Sequence, residues 1–116
     1  MIAKEKLWIA ISDFYLDTEL QETDYASVAK CFSESGLSIK QLREIDLYEV
    51  LPALYTNLIS PAGIWTGFDE AWLVSQCRKN ESRRKSLLFR FRVLTLRGLH
   101  KQIVNHHWEK LIPMIS

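Results

Sequence analysis

Apolar residues recur every three or four positions along most of this chain, the signature of amphipathic helices packed around a common core. From Ala3 to about Leu16, the residues Leu7, Trp8, Ile11, Phe14 and Tyr15 share a face, while Lys4, Lys6 and Asp13 lie on others. Tyr25, Val28, Ala29 and Phe32 repeat the spacing in a second helix, with Thr23 or Asp24 as its cap and Gly36 as its left-handed stop. Ser38 and Gln41 have the spacing of a capping box for a third helix, carried by Leu42, Ile45 and the run Leu47 to Val50. Pro52 kinks or ends that helix and leaves a shorter helical turn from Ala53 to Asn57.

Between Leu58 and Leu73 the periodicity is interrupted by Pro61, Gly63 and Gly67, while Ile64 and Trp65 are too apolar to be left in water. An ordered loop folded back on the core is expected there. Asp69 is suited to cap the next helix, with Phe68 and Leu73 at the positions of a hydrophobic staple, so that helix begins at Glu70 and runs to about Lys79. Leu88 to Val93 alternates like a strand, but Leu87, Leu88, Phe91, Leu94 and Thr95 also fit one helical face. A lone strand would have no partner. The spacing therefore predicts a helix from about Ser82 to Arg97, a break or bend at Gly98, and a last helix from Leu99 to about Leu111 before Pro113. The expected fold is one all-α domain over residues 1–116, a compact bundle of five or six helices with the Trp65 loop between the third and fourth.

A chain of 116 residues is long enough to bury about two thirds of its extended surface without disulfides or metal. Its 25% charged and 47% hydrophobic residues are ordinary for a soluble protein. Cys31 and Cys77 lack metal-ligand spacing and read as reduced thiols of a cytoplasmic protein. No apolar run reaches the roughly 18 residues of a membrane span, and no signal peptide is evident.

Charge alters this picture. Residues 1–70 carry twelve acids and five bases, and residues 71–116 carry ten bases and two acids, so an overall charge of +1 conceals two opposed halves. Three explanations compete. The halves pack against each other with charges interleaved; the basic helix binds nucleic acid through Arg83, Arg84, Lys85, Arg90 and Arg92, with Phe89 and Phe91 interleaved; or one charged face recognises a protein partner.

Catalytic patterns are sparse. Asp13 and Asp17, four apart with Glu19 close by, could share a cation or acid–base work, although an exposed acidic helix end is the commoner origin of such a pair. His100, His106 and His107 lack the spacing of a zinc site and read as packed or rim histidines. No nucleophile elbow, P-loop or dinucleotide fingerprint is present, so neither a metal nor another cofactor is expected and an enzyme is the least supported class.

The runs Leu7-Trp8 to Ser12-Asp13, Leu16-Asp17-Thr18-Glu19, Ser35-Gly36-Leu37-Ser38, Tyr48-Glu49-Val50 with Pro52, and Asn57-Leu58 through Gly63, Trp65 and Gly67-Phe68-Asp69 to Trp72-Leu73 resemble a family of small bacterial domains of unknown function. The resemblance spans about residues 6–73. It implies a bacterial source and a stand-alone small domain, implies no activity, and places any family-wide role in the acidic part, around Asp17-Thr18-Glu19 and Trp65. The leading functional expectation is a non-enzymatic binding protein of the immunity type. In that reading Asp13, Asp17, Glu19, Glu22 and Asp24 face the basic cleft of a toxin, with Trp65 as an anchor. The alternative is a small nucleic-acid-associated regulator using the five C-terminal bases. A metal-dependent enzyme built on Asp13, Asp17 and His100 is a third class.

Overall fold

The first periodic segment forms α1 (Lys4–Ser12) and continues into a 3-10 turn over Asp13–Tyr15. Leu7, Trp8, Ile11, Phe14 and Tyr15 are all buried. The computed structural model describes residues 4–15, 20–58 and 70–115. The loop expected around Trp65, its cap Asp69, and the candidates Asp17 and Glu19 lie outside the described residues. Asp13 sits on the 3-10 turn rather than on the α-helix itself.

Helix α2 (Glu22–Ser35) buries Tyr25, Val28, Ala29 and Phe32. Gln21, rather than Thr23 or Asp24, holds its cap position; Asp24 reaches back from the first turn, where Oδ2 accepts the Gln21 N–H at 2.8 Å. Gly36 ends the helix at φ 72°, where a side chain would be strained. Ser38 and Gln41 then close a reciprocal capping box at 3.1 and 2.9 Å and start α3 (Ile39–Ile45).

Pro52 does not end this rod. α3 passes through a five-residue π turn, Asp46–Val50, into α4 (Leu51–Leu58). A proline inside an α-helix lacks an N–H, and its ring collides with the carbonyl four residues back, here that of Tyr48. Widening the preceding turn relieves that collision: the Leu51 N–H donates to the Asp46 carbonyl, five residues back. The Glu49 carbonyl accepts instead from Asn80 Nδ2 at 3.0 Å, on the neighbouring helix.

Helix α5 (Glu70–Arg83) outruns Lys79, so Ser82 belongs to it and does not open the next helix. The chain turns at Arg84-Lys85, and Ser86 Oγ accepts the Phe89 N–H at 3.3 Å to start α6 (Leu87–Thr95). The break falls at Leu96, not Gly98, and α7 (Arg97–Ile115) carries both Gly98 and Pro113 within it. Among the described residues there are thus seven α-helical segments and no strand, against the five or six helices expected.

Helix α2 lies along α7, α1 packs against α2 and α5, and the π turn touches α1, α5 and α6. A single cluster of buried side chains joins α1 to α5, the π turn and α7, with Trp8 and Trp108 fully buried. Phe32 stacks on Trp108 at 5.3 Å, and Phe14 meets the same indole edge-on at 5.6 Å. The radius of gyration of 13.5 Å is that of a compact globule of this length. Cys77 is buried, Cys31 is half-buried, and both are free thiols. Burial pushes the Cys77 thiol up to about 12 and raises that of Cys31 as well.

Candidate contact surface

The π turn rotates two acids into the core, and both Asp46 and Glu49 have no exposure at all. Taking a carboxylate out of water costs several kcal/mol unless donors surround it. Asp46 is met by the Tyr15 hydroxyl at 2.5 Å, His100 Nε2 at 2.9 Å and the Trp108 indole N–H at 2.8 Å. Glu49 is met by the Trp8 indole N–H at 2.8 Å, Arg84 Nη1 at 2.6 Å and Lys4 Nζ at 3.0 Å. Each carboxylate therefore receives one tryptophan and ties together helices distant in sequence. Burial, followed by the charge of Asp46, holds the Tyr15 hydroxyl well above its ordinary value.

These anchors escaped the sequence reading, which counted Asp46 only as a charge and quoted Glu49 only within the Tyr48-Glu49-Val50 run. The signal available was two acids three apart inside an otherwise apolar run, Ile45 to Leu51, just before a proline. His100 is committed to Asp46, so the structure does not join it to Asp13 in a metal-binding set. Among the described residues no three or more His, Cys, Asp or Glu gather into a metal site. His107 is buried, stacked on Phe14 at 5.1 Å, with Nδ1 2.7 Å from the Tyr25 hydroxyl. Burial, then the neighbouring His106, lowers its pKa to about 4, while His106 itself stays exposed.

Of the acidic candidates, Glu22 and Asp24 are exposed at the start of α2, and Asp13 is half-buried nearby. Burial, then Asp24, then Glu70, raises the Asp13 carboxyl to about 6. Glu22 meets Lys110 at only 3.9 Å, both side chains being largely in solvent.

The basic third is partly spent inside the molecule. Arg78 pairs with Glu5 at 2.5 Å, and Arg84 with Glu49 and Glu44, so bases of the second half meet acids of the first. The five-base set proposed for nucleic acid is thereby divided. Arg84 is held inward, Arg90 lies over the Tyr48 ring at 5.7 Å, and Arg83, Lys85 and Arg92 project into solvent.

The prominent surface feature is α6. Val93 is buried and Phe89 half-buried, which fixes the helix to its neighbours, yet Leu87, Leu88, Phe91 and Leu94 are 82, 63, 68 and 44% exposed. Positions i, i+1, i+4 and i+7 form one outward stripe. A helix that is apolar on both its inner and outer faces has the composition of a buried helix. Arg90 and Arg92 lie between the two faces.

The architecture is thus an all-helical globule pinned by a carboxylate-bearing π turn, with one cationic helix whose outer face is apolar. The chain belongs to the family described as a domain of unknown function, DUF7079, whose model matches residues 3–114. The match extends well past Leu73 and takes in the basic final third, which the motif resemblance had left out. No curated protein and no solved structure matches the chain. Among the described residues no helix is long and apolar enough to cross a membrane.

Proposed function

We propose that this chain is a non-enzymatic protein-binding domain that engages its partner through the outer face of α6. The observation carrying this reading is the exposed stripe Leu87, Leu88, Phe91 and Leu94. Contiguous apolar patches of this kind, rimmed by polar residues, mark sites of association, whereas scattered apolar residues on a surface are ordinary. Arg83, Lys85, Arg90 and Arg92 flank the stripe, so the complementary surface is an apolar groove with acidic edges. A second copy docking by the same face would set these cations near one another, which favours a different protein.

Mutually paired halves suit a neutralising protein, and an immunity protein against a cognate bacterial toxin is the form this reading takes. The contact then runs through basic α6 rather than through the acids Asp13, Glu22 and Asp24. The test is co-expression with a protein encoded beside the gene, followed by co-purification. Retention by the wild type and loss by Leu88→Ser/Phe91→Ser is the expected result. Equal retention by the variant, or loss only on neutralising Glu22 and Asp24, would overturn the assignment to α6.

A further inference from the structure

Between α3 on one side and α6 with the start of α7 on the other lies a groove of about 670 Å³, a size suited to a small ligand. Five cations line it: Lys40 and Arg43 from α3, Arg90 from α6, and Arg97 and Lys101 from α7. The carboxylate on its wall, Glu44, is held by Arg84 at 3.3 Å. Among the described residues no carboxylate comes within ion-pair distance of any of the five. This contrasts with Arg78 and Arg84, whose charges are met from the acidic half.

Two of the five are set in place by neighbours. Arg43 Nη2 donates to Asn105 Oδ1 at 3.2 Å, and its guanidinium lies 5.8 Å from the Trp108 ring centre. Arg90 rests on Tyr48. Cations on both walls of a recess focus a positive potential within it, which a mobile anion relieves. A single carboxylate would balance one charge of five, so the complement is a multiply charged anion. Guanidinium forks match phosphate oxygens in geometry, and Leu47 and Leu94 supply apolar wall for an uncharged remainder.

We propose that this groove binds a small polyphosphate-bearing molecule of the di- or triphosphate class. The phosphate bridges α3 to α6 and α7 and so stiffens the helix that carries the apolar stripe. The groove adjoins the docking face and shares Arg90 and Leu94 with it, but Leu88 and Phe91 do not line it, so the two readings can be tested apart.

Calorimetric titration of the full chain with inorganic pyrophosphate at constant ionic strength tests this. Saturable binding of one equivalent is expected, weakened about tenfold or more by Arg97→Gln and by Lys101→Gln, since each removes a charge-assisted contact. Both side chains are exposed, so the variants should melt like the wild type. Lys79→Gln, an exposed base on α5, and Leu88→Ser/Phe91→Ser should bind as the wild type does. A parallel titration with a short single-stranded oligonucleotide separates free phosphates from a nucleic-acid backbone. No saturable pyrophosphate binding, equal weakening by Lys79→Gln, or tighter oligonucleotide binding insensitive to Arg97→Gln would overturn the proposal.

Discussion

Arg84 Nη1 lies 2.6 Å from Glu49 Oε2, joining the turn after α5 to a carboxylate fully buried in the π turn. The pair couples the basic and acidic halves of the chain where water is excluded on the acid's side. Its energetics therefore differ from those of the surface pairs. Glu49→Gln should lower stability by about 2–4 kcal/mol, because Arg84 and Lys4 each lose the buried one of their two carboxylate partners and keep only Glu44 and Glu81 at the surface. Lys110→Gln, which removes a loose surface contact with Glu22 and a cation lying over the Tyr25 ring, should change it by less than about 1 kcal/mol. Urea unfolding of both variants measures the contrast, and a Glu49→Gln/Arg84→Met double-mutant cycle should show coupling above about 1 kcal/mol.

Asp46 accepts from three donors, one on Oδ1 and two on Oδ2. Asp46→Asn would turn an amide N–H₂ toward an existing donor, so a loss of about 3 kcal/mol is expected. Tyr15→Phe removes one hydrogen bond to the charged group and should lose about 1.5–3 kcal/mol. Thermal melts of the two variants check this order.

Two displaced pKa values act in opposite directions on stability. His107 is lowered from 6.5 to about 4 in the native state, so its contribution is present above about pH 6.5 and lost as pH falls through about 4. Asp13 is raised from 3.8 to about 6, so its contribution is present below pH 3.8 and lost as pH rises through about 6. In the window between, the two offset each other. Asp13→Asn should therefore gain about 1 kcal/mol at neutral pH, a value reduced for the screening of a half-buried group, and nothing near pH 4. Denaturant titrations of wild type and variant across that range give the difference curve.

The outer face of α6 contributes little to the isolated fold, because its side chains are already in water. Leu88→Ser/Phe91→Ser should leave the melting temperature within a few degrees of wild type. It should also reduce binding of a hydrophobic dye. A large loss of stability would mean that the stripe packs internally.

The parts of the fold legible in the sequence were those governed by local rules. The buried face of α1, the Gly36 stop and the Ser38–Gln41 box each depend on residues within a turn or two. The π turn was not legible, because whether a helix ends at Pro52 or widens before it depends on Asn80, 31 residues from Glu49, supplying a donor. For the same reason Asp46 and Glu49 looked like solvated charges. Their partners Trp8, Arg84, His100 and Trp108 come from both ends of the chain. The helical face through Leu87, Leu88, Phe91 and Leu94 could be read from spacing. That it faces outward depends on how Val93 seats the helix, which no local pattern encodes.

Amide hydrogen exchange of the chain, with and without the protein encoded beside its gene, addresses the docking reading most directly. Slowed exchange concentrated in Leu87–Thr95, with the first turn of α2 unchanged, is the predicted outcome. Protection at Glu22 to Asp24 with α6 unaffected would contradict it.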